Sequence, residues 1–288
     1  MKPPTFGYLR AATLAEALHA LKSEGAKVIA GGQSLMPMLN FRLLRPSLLV
    51  DINRLGELDT LEETAGGGLR IGALTRHRTL EFSPLVRARF PILAAAAAEI
   101  GHLAIRNRGT IGGSLSHADP AAELLLMSVL LDARLTVQSH GGTRTVRAAD
   151  HIAGALSTTL KPAEIVTAVA LPPLAPGTGW GFGEVARRSG DFALAAVAVL
   201  IRRAGDSVGE ARIAVSGGMD GPVRIRAAED ALHGSRCDAR ALAAAARAVR
   251  AGIEANSDLH ASPALRHHLL DALLGRACTQ AWDRAATA

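Results

Sequence analysis

Two pairs of adjacent glycines, Gly31-Gly32 and Gly112-Gly113, constrain this 288-residue chain more than any other feature. The first lies in Ala30-Gly31-Gly32-Gln33-Ser34-Leu35-Met36, directly after the apolar pair Val28-Ile29. The second lies in Thr110-Ile111-Gly112-Gly113-Ser114, between the basic segment Arg106-Asn107-Arg108 and an apolar run over 121–131. Adjacent glycines let a backbone approach another object closely and leave N–H groups that no side chain shields. Two such turns, each followed by Ser and Leu near a helix start, suit a long ligand that carries phosphates. N–H groups and helix N-termini would hold it from two sides. An ordinary tight turn is the alternative for either pair alone. Neither pair is the GxGxxG of a dinucleotide-binding Rossmann unit, and no Walker GK[ST] is present.

The segments around these turns predict an α+β chain, because strands and helices mix without the regular alternation of a doubly wound sheet. Residues 13–21 read as a helix, with Thr13 as cap, Glu16 completing a capping box and Gly25 as the stop. Strands at 27–30 and 48–52 flank a short helix that Ser34 caps, with Pro37 tolerated in its first turn. From Leu55 the pattern changes. Strands at 58–61 and 69–73 join through Gly66-Gly67-Gly68, Thr75 caps a helical segment over 76–80, and 90–100 is an alanine-rich helix. A helix over 121–131, a hairpin about Gly141-Gly142 and a strand at 165–171 follow. The segment PPLAPGTG at 172–179 is the clearest linker. Beyond it, 181–186, 194–202 and 211–216 read as three strands, and 223–232, 239–255 and 264–282 as helices, a separate small domain.

Composition matters here for what it excludes. Cys237 and Cys278 are far apart and form no CxxC pair, so this chain alone holds no iron–sulfur cluster or cysteine-ligated zinc. Reduced, packed thiols are expected. The net charge of +6 comes from scattered arginines without aromatic interleaving, which argues against nucleic acid and suits docking with acidic partners. The apolar run at 124–131 is too short to span a bilayer, and no basic-then-apolar leader is evident, so a cytoplasmic protein is expected. His117 and Asp119 read as shaping a turn, and His267-His268 point different ways with no third ligand, so no metal is expected. Arg106 and Arg108 are candidates for charges near phosphates or at a subunit contact. No nucleophile–base pattern stands out.

Five stretches carry a specific resemblance: AGGQSLMPMLNFRL (30–43), IGALTRH (71–77), RNRGTIGGSLSHADPAAEL (106–124), LKPAEIVTAVALP (160–172) and ARRSGDFALAAVAV (186–199). In order and spacing they resemble the FAD-binding medium subunit of molybdenum hydroxylases. That family includes the carbon monoxide dehydrogenase flavoprotein, its counterparts in bacterial N-heterocycle dehydrogenases, and the flavin domain of xanthine dehydrogenase. The resemblance implies a p-cresol methylhydroxylase-type FAD-binding fold over 1–175, as two α/β subdomains of about 1–55 and 56–175. A small C-terminal domain over 180–288, a three-stranded antiparallel sheet with helices, would follow.

By the same resemblance Val28, Ile29, Ala30, Gly31, Gly32, Gln33, Ser34, Leu35 and Met36, with Thr110, Ile111, Gly112, Gly113 and Ser114, hold the pyrophosphate and ribityl chain of FAD. Ile100 and Val166 line the flavin or adenine, and residues 187–192 approach from the C-terminal domain. Three positions depart from the family pattern. Glu123 stands where Asp usually bonds the adenosine part, Glu184 where Lys is common, and Leu265 where an aromatic is frequent. The implied function is electron transfer, with no catalytic residue from this chain because the cofactor carries the chemistry. A large molybdopterin subunit and a small subunit with [2Fe-2S] clusters are the implied partners, as a dimer of heterotrimers. Electrons from an N-heteroaromatic substrate would pass to NAD, a quinone, a cytochrome or oxygen. A stand-alone flavin oxidoreductase and a non-redox assembly subunit are the competing readings.

Overall fold

Strand β1 (Gly7–Arg10) opens the computed structural model, which describes residues 2–286. Helix α1 (Leu14–Ala20), strand β2 (Ala26–Ile29), helix α2 (Leu35–Asn40) and strand β3 (Leu48–Asp51) follow. The strands form a parallel sheet in the order β1-β3-β2. Thr13 caps α1, its Oγ1 accepting from Glu16 N–H at 3.1 Å. The Glu16 carboxylate reaches back to Ala12 N–H at 2.7 Å, one residue before the usual partner in a capping box. Ser34 does not cap α2: its own backbone is already helical and its hydroxyl makes no capping bond. Strand β1 has no apolar alternation, since Gly7, Tyr8 and Arg10 are exposed, and only its register on β3 defines it.

The second unit comprises β4 (Leu61–Glu63), β5 (Leu69–Gly72), α3 (His77–Phe82), α4 (Pro84–Arg89), α5 (Pro91–Glu99), α6 (Leu103–Arg106), α7 (Ile111–His117) and α8 (Glu123–Leu130). It continues through β6 (Arg134–Ser139), β7 (Gly142–Arg147), α9 (Ala148–His151), the hairpin β8 (Ile152–Gly154) and β9 (Ser157–Thr158), and β10 (Ile165–Leu171). Five strands pair antiparallel in the order β4-β5-β10-β6-β7. Three readings need correction. The segment expected to begin a strand at Leu58 is a 3-10 turn that buries Leu58, and the strand starts at Leu61. Thr75 does not cap α3; its Oγ1 donates to Thr60 C=O at 3.0 Å, and Arg76 stands at the cap position. Residues 110–114 are not an open turn but the capped start of α7.

The C-terminal part comprises β11 (Gly179–Val185), β12 (Ala195–Ala204), β13 (Ser207–Ser216), β14 (Val223–Arg224), α10 (Arg226–Leu232), α11 (Ala239–Ala251) and α12 (Pro263–Arg284). Its antiparallel sheet has four strands rather than three. Val223 and Arg224, expected in a helix, pair with Val215 and Ala214 of β13 instead. That pairing occupies the segment expected to open the helix, so α10 begins only at Arg226. Period-two alternation buries both faces of this sheet. Ala196, Ala198 and Leu200 join the apolar layer of α5 and α8, whereas Val197, Val199 and Ile201 pack with α10, α11 and α12. One face of the sheet thus shares the core of the middle region, while the other has its own core with α10, α11 and α12. A third cluster, with Leu18, Val50, Leu55, Leu58, Leu74 and Ile165, joins the first unit to the second. Among the described residues no helix is long and apolar enough to cross a membrane.

Candidate cofactor-binding site

The two glycine pairs look alike in sequence and differ in their hydrogen bonds. At the first, a Cβ on Gly31 would lie 2.3 Å from Arg108 C=O and 2.9 Å from Gly109 Cα, so only glycine lets this turn rest on the segment ahead of α7. Gly32 has φ +72°, the left-handed region that glycine favours. The Gln33 side-chain amide donates to Gly31 C=O at 2.9 Å and braces the turn. Among the described residues the backbone N–H groups of Gly31, Gly32, Gln33 and Ser34 donate to no protein acceptor. Four consecutive amides thus lack a protein acceptor, and those of the exposed Gln33 and Ser34 are open to an anion.

At the second pair every amide is already occupied. Ile111 N–H donates to Thr75 C=O at 3.1 Å and Gly112 N–H to Ala73 C=O at 2.9 Å. Gly113 N–H donates to Thr110 Oγ1 at 3.1 Å, and Ser114 N–H to Thr110 C=O at 3.0 Å. Gly112 serves packing, because a Cβ there would lie 2.5 Å from Ala73 Cβ. The expectation of two facing amide cradles is therefore corrected to one cradle and one wall. What α7 retains for a ligand is the exposed backbone at Gly113 and the half-buried hydroxyl of Ser114. Ser114 Oγ lies 3.1 Å from His77 Nε2. Burial first, then the charges of Arg76 and Arg106, depress the His77 pKa to about 4 against a backbone contact at Thr110, so the imidazole is neutral near pH 7.

A chain of polar contacts ties the cradle to this wall. Tyr8 donates its hydroxyl proton to Asp51, and Asn53 donates to Asp51 Oδ1 from its backbone N–H at 2.8 Å and from Nδ2 at 2.7 Å. Asn53 Nδ2 also donates to Ala30 C=O at 2.7 Å, at the mouth of the glycine turn. Arg76 completes the link, with Nη2 donating to Asn53 Oδ1 at 2.9 Å and Nη1 to Arg108 C=O. Sequence reasoning missed Asn53 and Arg76, whose bonds across the site reach residues 23 and 32 positions away, beyond any local spacing rule. The two arginines singled out in sequence separate in role. Arg106 is committed to Glu81 at 2.8 Å and to the carbonyls of Ile100 and Gly101 at 3.1 and 2.9 Å. Arg108 is exposed, makes no ion pair among the described residues, and with Arg76 sets positive charge beside the cradle.

A second group of expected residues gathers around α5, α8 and β11. Glu123 opens α8 and is buried; burial first, then Asp119 and Glu99, push its carboxyl up to about 7. Glu184 on β11 is pushed up to about 8, by burial first and then by Glu123 and Glu99. Glu184 Oε2 is buried without a hydrogen-bond partner. Ile100 is half-buried at the end of α5, and Val166 is buried in β10 opposite Val137, within the apolar layer. A Cβ on Gly190 would lie 3.0 Å from the Gly101 carbonyl, so the 187–192 turn rests on the segment after α5. Arg188 and Asp191 pair within that turn at 3.1 Å, and Arg187 reaches His260 Nδ1 at 3.0 Å. Asp119 accepts from Ala121 N–H at 2.9 Å, the turn-shaping contact expected between α7 and α8. The open cradle fits an extended ligand with an anionic middle, and the orphaned Glu184 oxygen leaves one hydrogen-bonding position unfilled.

Residues 4–174 match the family model of the FAD binding domain in molybdopterin dehydrogenase, and residues 180–281 match the CO dehydrogenase flavoprotein C-terminal domain. The chain is 40% identical to the nicotine 6-hydroxylase medium subunit of Paenarthrobacter nicotinovorans, covering 99% of this chain and all of that relative. It superposes on carbon monoxide dehydrogenase from Hydrogenophaga pseudoflava with a TM-score of 0.96 at 37% identity, over 99% of this chain and 100% of that one. Quinoline 2-oxidoreductase from Pseudomonas putida 86 gives a TM-score of 0.94 at 38% identity, over 98% and 99% of the two chains. The chain belongs to the FAD-binding flavoprotein family of the molybdopterin dehydrogenases, whose members include medium subunits of oxidoreductase complexes.

Proposed function

We propose that this chain holds FAD non-covalently and passes electrons from [2Fe-2S] clusters of a small partner subunit to an external acceptor. A large molybdopterin-binding partner would oxidise the substrate. The observation that carries the reading is the row of unpaired amides at 31–34, with Arg76 and Arg108 alongside. Backbone N–H groups there would hold the FAD pyrophosphate, and the Ser114 hydroxyl would bond the ribityl chain or a phosphate oxygen. Val28, Ile29, Ile100 and Val166 would supply apolar surface, Glu123 would meet the adenosine part, and Glu184 would approach the flavin. When bound, the FAD supplies the capacity to take up and release electrons. The chain's own work is to bind, orient and shield it.

We assign a p-cresol methylhydroxylase-type FAD-binding domain to 1–175, with subdomains of about 1–55 and 56–175, and a flavoprotein domain to 180–288. A cytoplasmic dimer of heterotrimers is the proposed assembly. The names of the relatives that act on nicotine and quinoline favour an N-heteroaromatic substrate. The test is to purify the chain with its native partners and add candidate N-heteroaromatics without oxygen. The flavin absorption band should bleach only in the complete assembly. Full substrate turnover by the chain alone would instead support a stand-alone oxidoreductase.

A further inference from the structure

Along β11, Trp180, Phe182 and Glu184 point to one face, where Trp180 and Phe182 pack on the α5–α8 layer. Gly183 faces α12 on the other side, against Leu273. The charged groups acting on Glu184 are Glu123 from the start of α8 and Glu99 from the end of α5. Its cross-strand neighbour on β12 is the apolar Ala196. No cation is among these groups, and Glu184 Oε2 is buried without a partner. The residue is half-buried and its Oε2 is shut away from water. An ionised carboxylate beside two further carboxylates, with that oxygen lacking a donor, is unfavourable, so the neutral acid is the form this surrounding selects. A neutral carboxyl carries one O–H, and placed on the buried Oε2 it would need an acceptor that the fold itself does not provide.

We propose that Glu184 acts as a protonated carboxylic acid that donates a hydrogen bond to bound FAD, so that protonation of this one side chain gates retention of the cofactor. The inference rests on the FAD reading above. Its direction in pH follows from the shifted carboxyl. Glu184 is neutral below about 8 and ionises above it, placing a third negative charge beside Glu123 and Glu99 and removing the donor. Glu123, pushed up to about 7, ionises first and is coupled to it.

The test is a titration of the purified full chain, with any subunits that accompany it, against FAD from about pH 6 to about pH 10. For the wild type the FAD Kd should rise steeply above about pH 8, approaching about tenfold per pH unit. Glu184→Gln keeps a neutral donor and should hold its Kd within about threefold over that upper range. Glu123→Gln should keep the steep upper limb. An infrared spectrum of the FAD-bound wild type should show the carbonyl stretch of a protonated carboxylic acid that is lost on raising the pH. This measurement decides the matter even where Glu184→Gln does not fold. A flat wild-type profile with FAD bound throughout, or an absent acid band, would overturn the role of Glu184 alone. Failure to bind FAD at any pH would overturn both this role and the flavoprotein reading.

Discussion

Gly31 has no side chain because the Arg108 carbonyl occupies the space a Cβ would need. Replacing it forces the turn and the segment ahead of α7 apart and misaligns the four free amides. Gly31→Ala is expected to lower stability by about 1–3 kcal/mol, the usual cost of overpacking, and to strip most of the flavin. Urea unfolding and flavin content of the purified variant measure the two effects, and a normal value for both would contradict the packing argument. At this scale the sequence was partly legible. Adjacent glycines announced close approach, and the approach is there at Gly31 and Gly112. Which pair keeps its amides free was not legible, because Gly112 loses its N–H to Ala73, 39 residues earlier in the chain. The partners of Asn53 and Arg76 are hidden for the same reason.

Helix α7 depends on Thr110, which is buried and caps it through Gly113 N–H. Thr110→Val removes that acceptor while keeping the shape, and is expected to cost about 1 kcal/mol. Thr110→Ser retains the bond and should cost less, so the ordering of the two urea midpoints checks the cap. Elements with strong local signals were read directly: α5 from its alanine run, the β6–β7 hairpin from Gly141-Gly142, and α1 from Thr13 and Glu16. Strand β1 was not, because it is defined by backbone pairing to the distant β3, and β14 was not, because two residues paired to β13 carry no periodicity of their own. Ser34 and Thr75 show the limit of capping rules. Each is a good cap residue at a helix start, yet Thr75 finds a better partner in Thr60 C=O and Ser34 is already helical.

For the whole molecule, the C-terminal sheet is buried on both faces and shares one apolar layer with α5 and α8. That continuity fixes β11, and with it Glu184, against the helices that carry Glu99 and Glu123. Secondary structure predicted from the chain showed the sheet but not its second buried face, since the small alanines of β12 do not announce which layer they meet. Five ordered motifs made the family legible where periodicity alone stopped at an α+β chain. The central claim is that this fold holds a single FAD through the amides at 31–34. Titration of the purified chain with FAD, alone and in its native assembly, tests it directly through quenching of flavin fluorescence. The predicted result is saturation at a single FAD per chain, with binding greatly weakened in Gly31→Ala. A folded wild-type chain that binds no FAD in either state, or a variant that binds it as tightly, would contradict the account.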